Sequence, residues 1–141
     1  MRKDETMKTL EIEARRENLS QVLAFVDEQL EQADCPMRSQ LQIDIAVEEI
    51  FVNIASYAYN PNVGAATILT EVEQDPLTVT LTFMDSGVPY DPLAKADPDV
   101  SLSAEERQIG GLGIFMVKKS MDEVRYRYEN GQNILTLKKK L

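Results

Sequence analysis

The run LTVTLTFMD, residues 77–85, constrains the fold more than any other stretch of the chain. Counting back by twos from Asp85 gives Phe83, Leu81 and Val79, and in a strand these side chains share one face. That face is apolar and must be buried, whereas the Thr-bearing face tolerates water. The strand therefore belongs to a sheet covered on one side. Asp85 ends the run in the inward phase. A carboxylate aimed at a core needs a partner, and the strand breaks at once into SGVPYDP.

The other elements follow from periodicity. Residues 8–14 alternate and predict a strand. Leu19, Leu23, Val26, Leu30 and Ala33 recur at helical spacing and predict a helix over about 19–34, with Asn18 and Gln21 as a capping box, ended by Pro36. A longer helix is expected over about 37–59, with Ser39 and Gln42 as a second cap. Leu41, Ile43, Ile45, Ala46, Val47, Ile50, Phe51, Val52, Ile54 and Ala55 cover most of its circumference, so it is expected to be largely buried. YNPNVG stops it. Two alternating runs, about 66–73 and 77–85, are joined by QDP. An irregular segment, 86–110, leads to GGLGIFMVKKSM, a Gly-rich entry into a short helix. A β-hairpin across Asn130-Gly131 closes the chain. The order β-α-α-β-β-loop-α-β-β predicts a single domain over 1–141: a two-layer α/β sandwich with a mixed, mostly antiparallel sheet and helices on one face.

Composition narrows the chemistry. With 141 residues there is room for one domain with a real core. A net charge of −9 argues against nucleic acid as a partner, which needs a basic face. Lys138–Lys140 is the one local basic run and reads as a solvated strand end. The single cysteine, Cys35, allows no internal disulfide and fits a reducing compartment. The first twenty residues show no signal-peptide pattern, and no apolar run approaches membrane-spanning length. A cytoplasmic protein that engages no membrane is expected. The chain has no histidine, which removes His-based catalysis and His-ligated metals. Any metal would be a hard cation on oxygen ligands.

Three constellations could carry chemistry. Glu49 and Asn53 are four apart, so they share a helix face, while Glu48 turns toward solvent. They form either a polar helix edge, bonded to each other or to water, or a carboxylate beside an amide oxygen that suits a hard cation. Asp85 is either a strand-end turn cap or an acceptor for an amine of a bound ligand such as adenine. GGLG, residues 110–113, is either a simple helix start or a place where backbone N–H groups approach phosphate. No GxxxxGK[ST] is present, and no strand directly precedes a GxGxxG.

Together and in this order, the three resemble the motifs of the GHKL ATP-binding superfamily, which includes gyrase, histidine-kinase catalytic domains and MutL. EEIFVN looks like the N box, DSGVPYDP like the G1 box and GGLGIFM like the G2 box. Within the superfamily the chain is most similar to the small anti-sigma-factor serine kinases, in its size, in the D-x-G-x-x-[FY]-D-P form of G1, and in GGLGIFMVKKSMDEV before a terminal hairpin. The resemblance implies an α/β sandwich holding ATP between helices and sheet. It implies Mg²⁺ on Asn53, Glu49 as general base, and Asp85 as acceptor for the adenine amino group, with Gly87 allowing close approach of the base. Tyr90 of G1 and Gly110, Gly111, Leu112 and Gly113 of G2 would complete the nucleotide contacts, with residues 92–110 as a lid.

Two departures stand out. Tyr57 and Ala58 occupy places where family members commonly carry histidine and glycine. The arginine that often precedes the G2 glycines to meet the terminal phosphate is represented by Arg107, two residues removed from Gly110, with Lys118 or Lys119 as substitutes. The implied activity is an ATP-dependent protein serine/threonine kinase that phosphorylates a serine on an anti-anti-sigma protein and holds a sigma factor, as a homodimer. A non-catalytic nucleotide switch is the main alternative: the displaced arginine favours it and the retained Glu49 opposes it. Autophosphorylation on histidine is impossible in a chain without one.

Overall fold

A computed structural model describes residues 5–94 and 111–141. Strand β1 (Glu5–Glu13) leads through a 3-10 turn (Arg16–Asn18) into helix α1 (Leu19–Gln32) and helix α2 (Met37–Asn53). Strands β2 (Ala65–Glu73) and β3 (Thr78–Asp85) follow, then α3 (Gly111–Ser120), β4 (Glu123–Glu129) and β5 (Gln132–Lys140). The sheet order is β1-β2-β3-β5-β4, and each neighbouring pair is antiparallel. β3 and β4 run in the same direction, but β5 is inserted between them. The sheet is therefore antiparallel throughout among the described strands, rather than the mixed, mostly antiparallel sheet expected, because the insertion of β5 removes the one contact that would have been parallel.

Alternation sets the sheet's inner face. Val79, Leu81 and Phe83 of β3 pair with buried positions on both sides: Ile68 and Val72 of β2, Leu135 and Leu137 of β5. The helices pack on this face, with α2 in contact with both α1 and α3. α2 buries Ile43, Ala46, Val47, Ile50 and Phe51, one stripe at helical spacing. Among the described residues, the outer sides of the sheet and of α2 have no further layer. Hence the expectation that α2 is largely buried fails for Leu41 and Ile45, which are exposed. No helix among the described residues is long and apolar enough to cross a membrane.

Element boundaries differ from the sequence reading where local chemistry intervenes. Asn18 makes no capping bond; its amide donates to the Glu13 carbonyl at 3.0 Å, because the 3-10 turn has already reversed the chain. Ser39 lies inside α2, which starts at Met37 after Pro36, so it does not cap. The helix expected to run to residue 59 is α-helical only to Asn53 and then widens into a π-helical turn, Ile54–Ala58. The hairpin turn at Asn130-Gly131 has positive φ at both residues (55° and 77°), the conformation that this dipeptide favours between antiparallel strands.

Candidate nucleotide-binding site

A cavity of about 430 Å³ opens between the C-terminal part of α2, the end of β3, the segment after it and the start of β5. Ile50, Ile54, Phe83 and Leu135 make its walls apolar, and Asn53, Asp85 and Asn133 supply polar groups. A mostly apolar recess with a few convergent polar groups is the usual form of a small-molecule site.

Asp85 points inward with Val79, Leu81 and Phe83, and is 6% exposed. Its Oδ1 accepts from the Gly87 N–H at 2.9 Å and from Asn133 Nδ2 at 2.9 Å. Part of the partner expected from a ligand is thus supplied by the protein. Asn133 lies directly opposite Asp85 in the β3–β5 register and is 7% exposed. Its Nδ2 also donates to the Val88 carbonyl at 2.9 Å, while its Oδ1 accepts from the Tyr90 N–H at 3.0 Å and from the Tyr126 hydroxyl. Two donors and two lone pairs exhaust what an amide offers. Burial pushes the Tyr126 phenol up, as expected for a hydroxyl held in this network. Among the described residues no hydrogen bond reaches Asp85 Oδ2, which remains an acceptor on a cavity-lining residue. Sequence reasoning missed Asn133. The available signal was its phase: it shares the inward face of β5 with Leu135 and Leu137.

Glu49 and Asn53 meet as their spacing predicts. Asn53 Nδ2 donates to Glu49 Oε2 at 2.8 Å, and both residues are half-buried. The donation leaves Asn53 Oδ1 as an acceptor. The first turn of α3 lies against this pair: a Cβ built on Gly113 would fall 1.9 Å from Glu49 Oε1. Gly113 therefore makes room for the carboxylate beside the N-terminal end of α3, where negative charge is favoured. Gly111 opens α3 and Leu112 follows within it. Arg107 and Gly110 lie outside the described residues, as does most of the expected lid. Of the substitutes for Arg107, Lys119 places its Nζ 5.4 Å from the Phe115 ring centroid, and Lys118 stands beside it in the last turn of α3. Among the described residues no three carboxylate or thiol groups gather to hold a metal.

Gly87 also has a reason within the protein itself. Its missing Cβ would stand 2.2 Å from the Ala58 carbonyl oxygen, and the Val88 N–H donates to that same oxygen at 2.9 Å. The segment after β3 is thereby fastened to the π-helical turn. Tyr59, also unnoticed in the sequence, adds a second fastening: its hydroxyl accepts from the Ser86 N–H at 2.7 Å and donates to the Ala65 carbonyl at 2.6 Å. Tyr57 and Tyr90 line the cavity and are exposed, and Pro92 lines it and is buried.

Comparison with known proteins agrees with this geometry. Residues 12–139 match the model of the histidine kinase-like ATPase domain. The chain is 32% identical over 100 residues to the serine/threonine-protein kinase BtrW of Bordetella bronchiseptica, covering 71% of this chain and 70% of that protein. It is 30% identical over 98 residues to the serine-protein kinase RsbW of Bacillus cereus, covering 67% of this chain and 60% of that protein. The fold is similar to that of a chain in the crystal structure of the SiaB–SiaC complex from Pseudomonas aeruginosa. That likeness has a TM-score of 0.56 at 15% identity and covers 94% of this chain and 89% of that one. The chain belongs to the family of histidine kinase-like ATPase domains, and both of these relatives are named as serine or serine/threonine protein kinases.

Proposed function

We propose that the chain is an ATP-dependent protein serine/threonine kinase that regulates a partner by phosphorylating a serine on an anti-anti-sigma-like protein. The observation that carries this reading is the pairing of two sites on one cavity. Asp85 on its lining has one oxygen tied to the protein and the other without a donor among the described residues, and Asn53 on the same lining is bonded to Glu49. An adenine would place its amino group on Asp85 Oδ2 between apolar walls. The phosphates would then extend toward Asn53 and the start of α3.

The donor set fits Mg²⁺ held mainly by phosphates. This ion keeps several waters and takes few protein ligands, and Asn53 Oδ1 is one available oxygen. Bound there, it would supply charge neutralisation for phosphoryl transfer, a reaction that depends on positioning more than on covalent chemistry. Glu49 would accept the proton of the attacking serine hydroxyl, its carboxylate held by the Asn53 amide at 2.8 Å. Tyr90, Gly110, Gly111, Leu112 and Gly113 would line or cover the nucleotide, with Arg107 or a lysine of α3 meeting the terminal phosphate. Phosphorylation adds about −1.5 to −2 charges to the antagonist and would release it from this chain. A sigma factor and a second copy of the chain complete the partner set by resemblance.

The test is phosphate transfer from labelled ATP to the cognate antagonist. Glu49→Gln should retain nucleotide binding and lose about 10²–10⁴-fold in transfer, the range for a general base. A wild-type protein that binds ATP but transfers nothing to serine would instead be a nucleotide-controlled switch.

A further inference from the structure

α2 carries an apolar stripe that none of the described residues covers. Met37, Leu41 and Ile45 are spaced by four, so they stand in one row on the outer side of the helix. They are 82%, 60% and 54% exposed. Three large apolar side chains in a row differ from scattered single ones, which require no explanation.

The groove beside this stripe is acidic. α1 and α2 meet there, and Gln40 of α2 donates to Glu31 of α1 at 3.4 Å. Asp27 of α1 and Asp44 of α2 face each other, each with one buried carboxylate oxygen. Burial first, then a hydrogen bond shared with Asp27 and the charges of Asp27 and Glu31, push the Asp44 carboxyl up to about 8, so this pair shares a proton. α1 contains no lysine or arginine, and α2 contains only Arg38. Glu28 and Glu48 add exposed carboxylates on the two helices.

We infer that the α1–α2 groove is a docking surface for a basic amphipathic helix of a partner protein, with apolar anchors on Met37, Leu41 and Ile45 and lysines or arginines facing Glu28, Glu31 and Glu48. Charge complementarity selects this occupant. A helix laid along another reads its anchors at i, i+4 and i+8, the spacing of the stripe. A second copy of the chain is a poor match. Of its described helices only α3 carries lysine, and it does so at one end, at Lys118 and Lys119. The surface is separate from the nucleotide cavity, and none of its residues lines that cavity.

The test uses the full chain and a synthetic helical peptide of about 18 residues with leucines at i, i+4 and i+8 and flanking lysines. A scrambled peptide and one with glutamate for lysine serve as controls. Fluorescence anisotropy should show binding of the basic peptide alone, weakened by salt. Leu41→Ser with Ile45→Ser should weaken it at least tenfold, as should Glu28→Gln with Glu31→Gln. Both pairs should leave ATP affinity unchanged, which separates this inference from the kinase reading. Both pairs change exposed side chains only, so a loss of binding reports on the surface and not on folding. Equal binding of the scrambled peptide, or full affinity in the serine pair, would overturn the proposal. So would a change in oligomeric state of the serine pair without peptide, since the stripe would then be covered by a second copy.

Discussion

Asp85→Asn separates the two oxygens of one carboxylate. In the wild type Oδ1 accepts from Gly87 and Asn133, and the new amide oxygen can keep both bonds. The fold should therefore be nearly as stable as before. The amide nitrogen then replaces Oδ2 and presents a donor where adenine also presents one. The bond lost is charge-assisted and contributes about 1.5–3 kcal/mol, equivalent to roughly 10- to 150-fold in affinity. Calorimetric titration with a non-hydrolysable ATP analogue and Mg²⁺ measures this directly. A 6-oxopurine nucleotide offers an acceptor at the same place, so its affinity should fall much less, and the preference for adenine should shrink. Unchanged ATP affinity, or an equal loss for both nucleotides, would refute the assignment of Oδ2 to the base. A large fall in melting temperature would refute the claim that, of the two carboxylate oxygens, the fold uses only Oδ1.

Asn133→Ala strands the Tyr126 hydroxyl, the Tyr90 N–H and the Val88 carbonyl. With partial relief from water, chemical denaturation should show a loss of roughly 2–4 kcal/mol, together with weaker nucleotide binding. Gly87→Ala forces a methyl against the Ala58 carbonyl, 2.2 Å away in the present geometry. It should cost about 1–3 kcal/mol by urea titration and loosen the segment that carries Val88 and Tyr90. For Asp44, the folded value of about 8 lies above the ordinary 3.8. Between these pH values the native state holds a proton that the unfolded chain has released. This contribution to stability is full below about pH 4 and is lost as pH rises through 8. The facing groups are Asp27 and Glu31 on α1, with the Cys35 thiol and Lys139 of β5 nearby. Thermal melts across this window should slope less in Asp44→Asn than in the wild type; equal slopes would refute the shift.

Much of this protein is written in local pattern. Period-two alternation marked β1, β2 and β3, since each presents a different chemistry to its two faces, and Asn-Gly marked the closing hairpin of β4 and β5. The phase of Asp85 and the Glu49–Asn53 spacing were readable because each depends only on the geometry of its own strand or helix. The caps at Asn18 and Ser39 were misplaced because a 3-10 turn and Pro36 had already set the helix starts. Tertiary structure alone decided three matters. It put Asn133 opposite Asp85, a pairing of residues 48 apart that follows from inserting β5 beside β3. It explained Gly87 through the Ala58 carbonyl, because the contact depends on where α2 widens into a π-helical turn. It also left Leu41 and Ile45 in solvent. A sequence reports that a residue is apolar, but only the packing of layers determines whether anything lies above it.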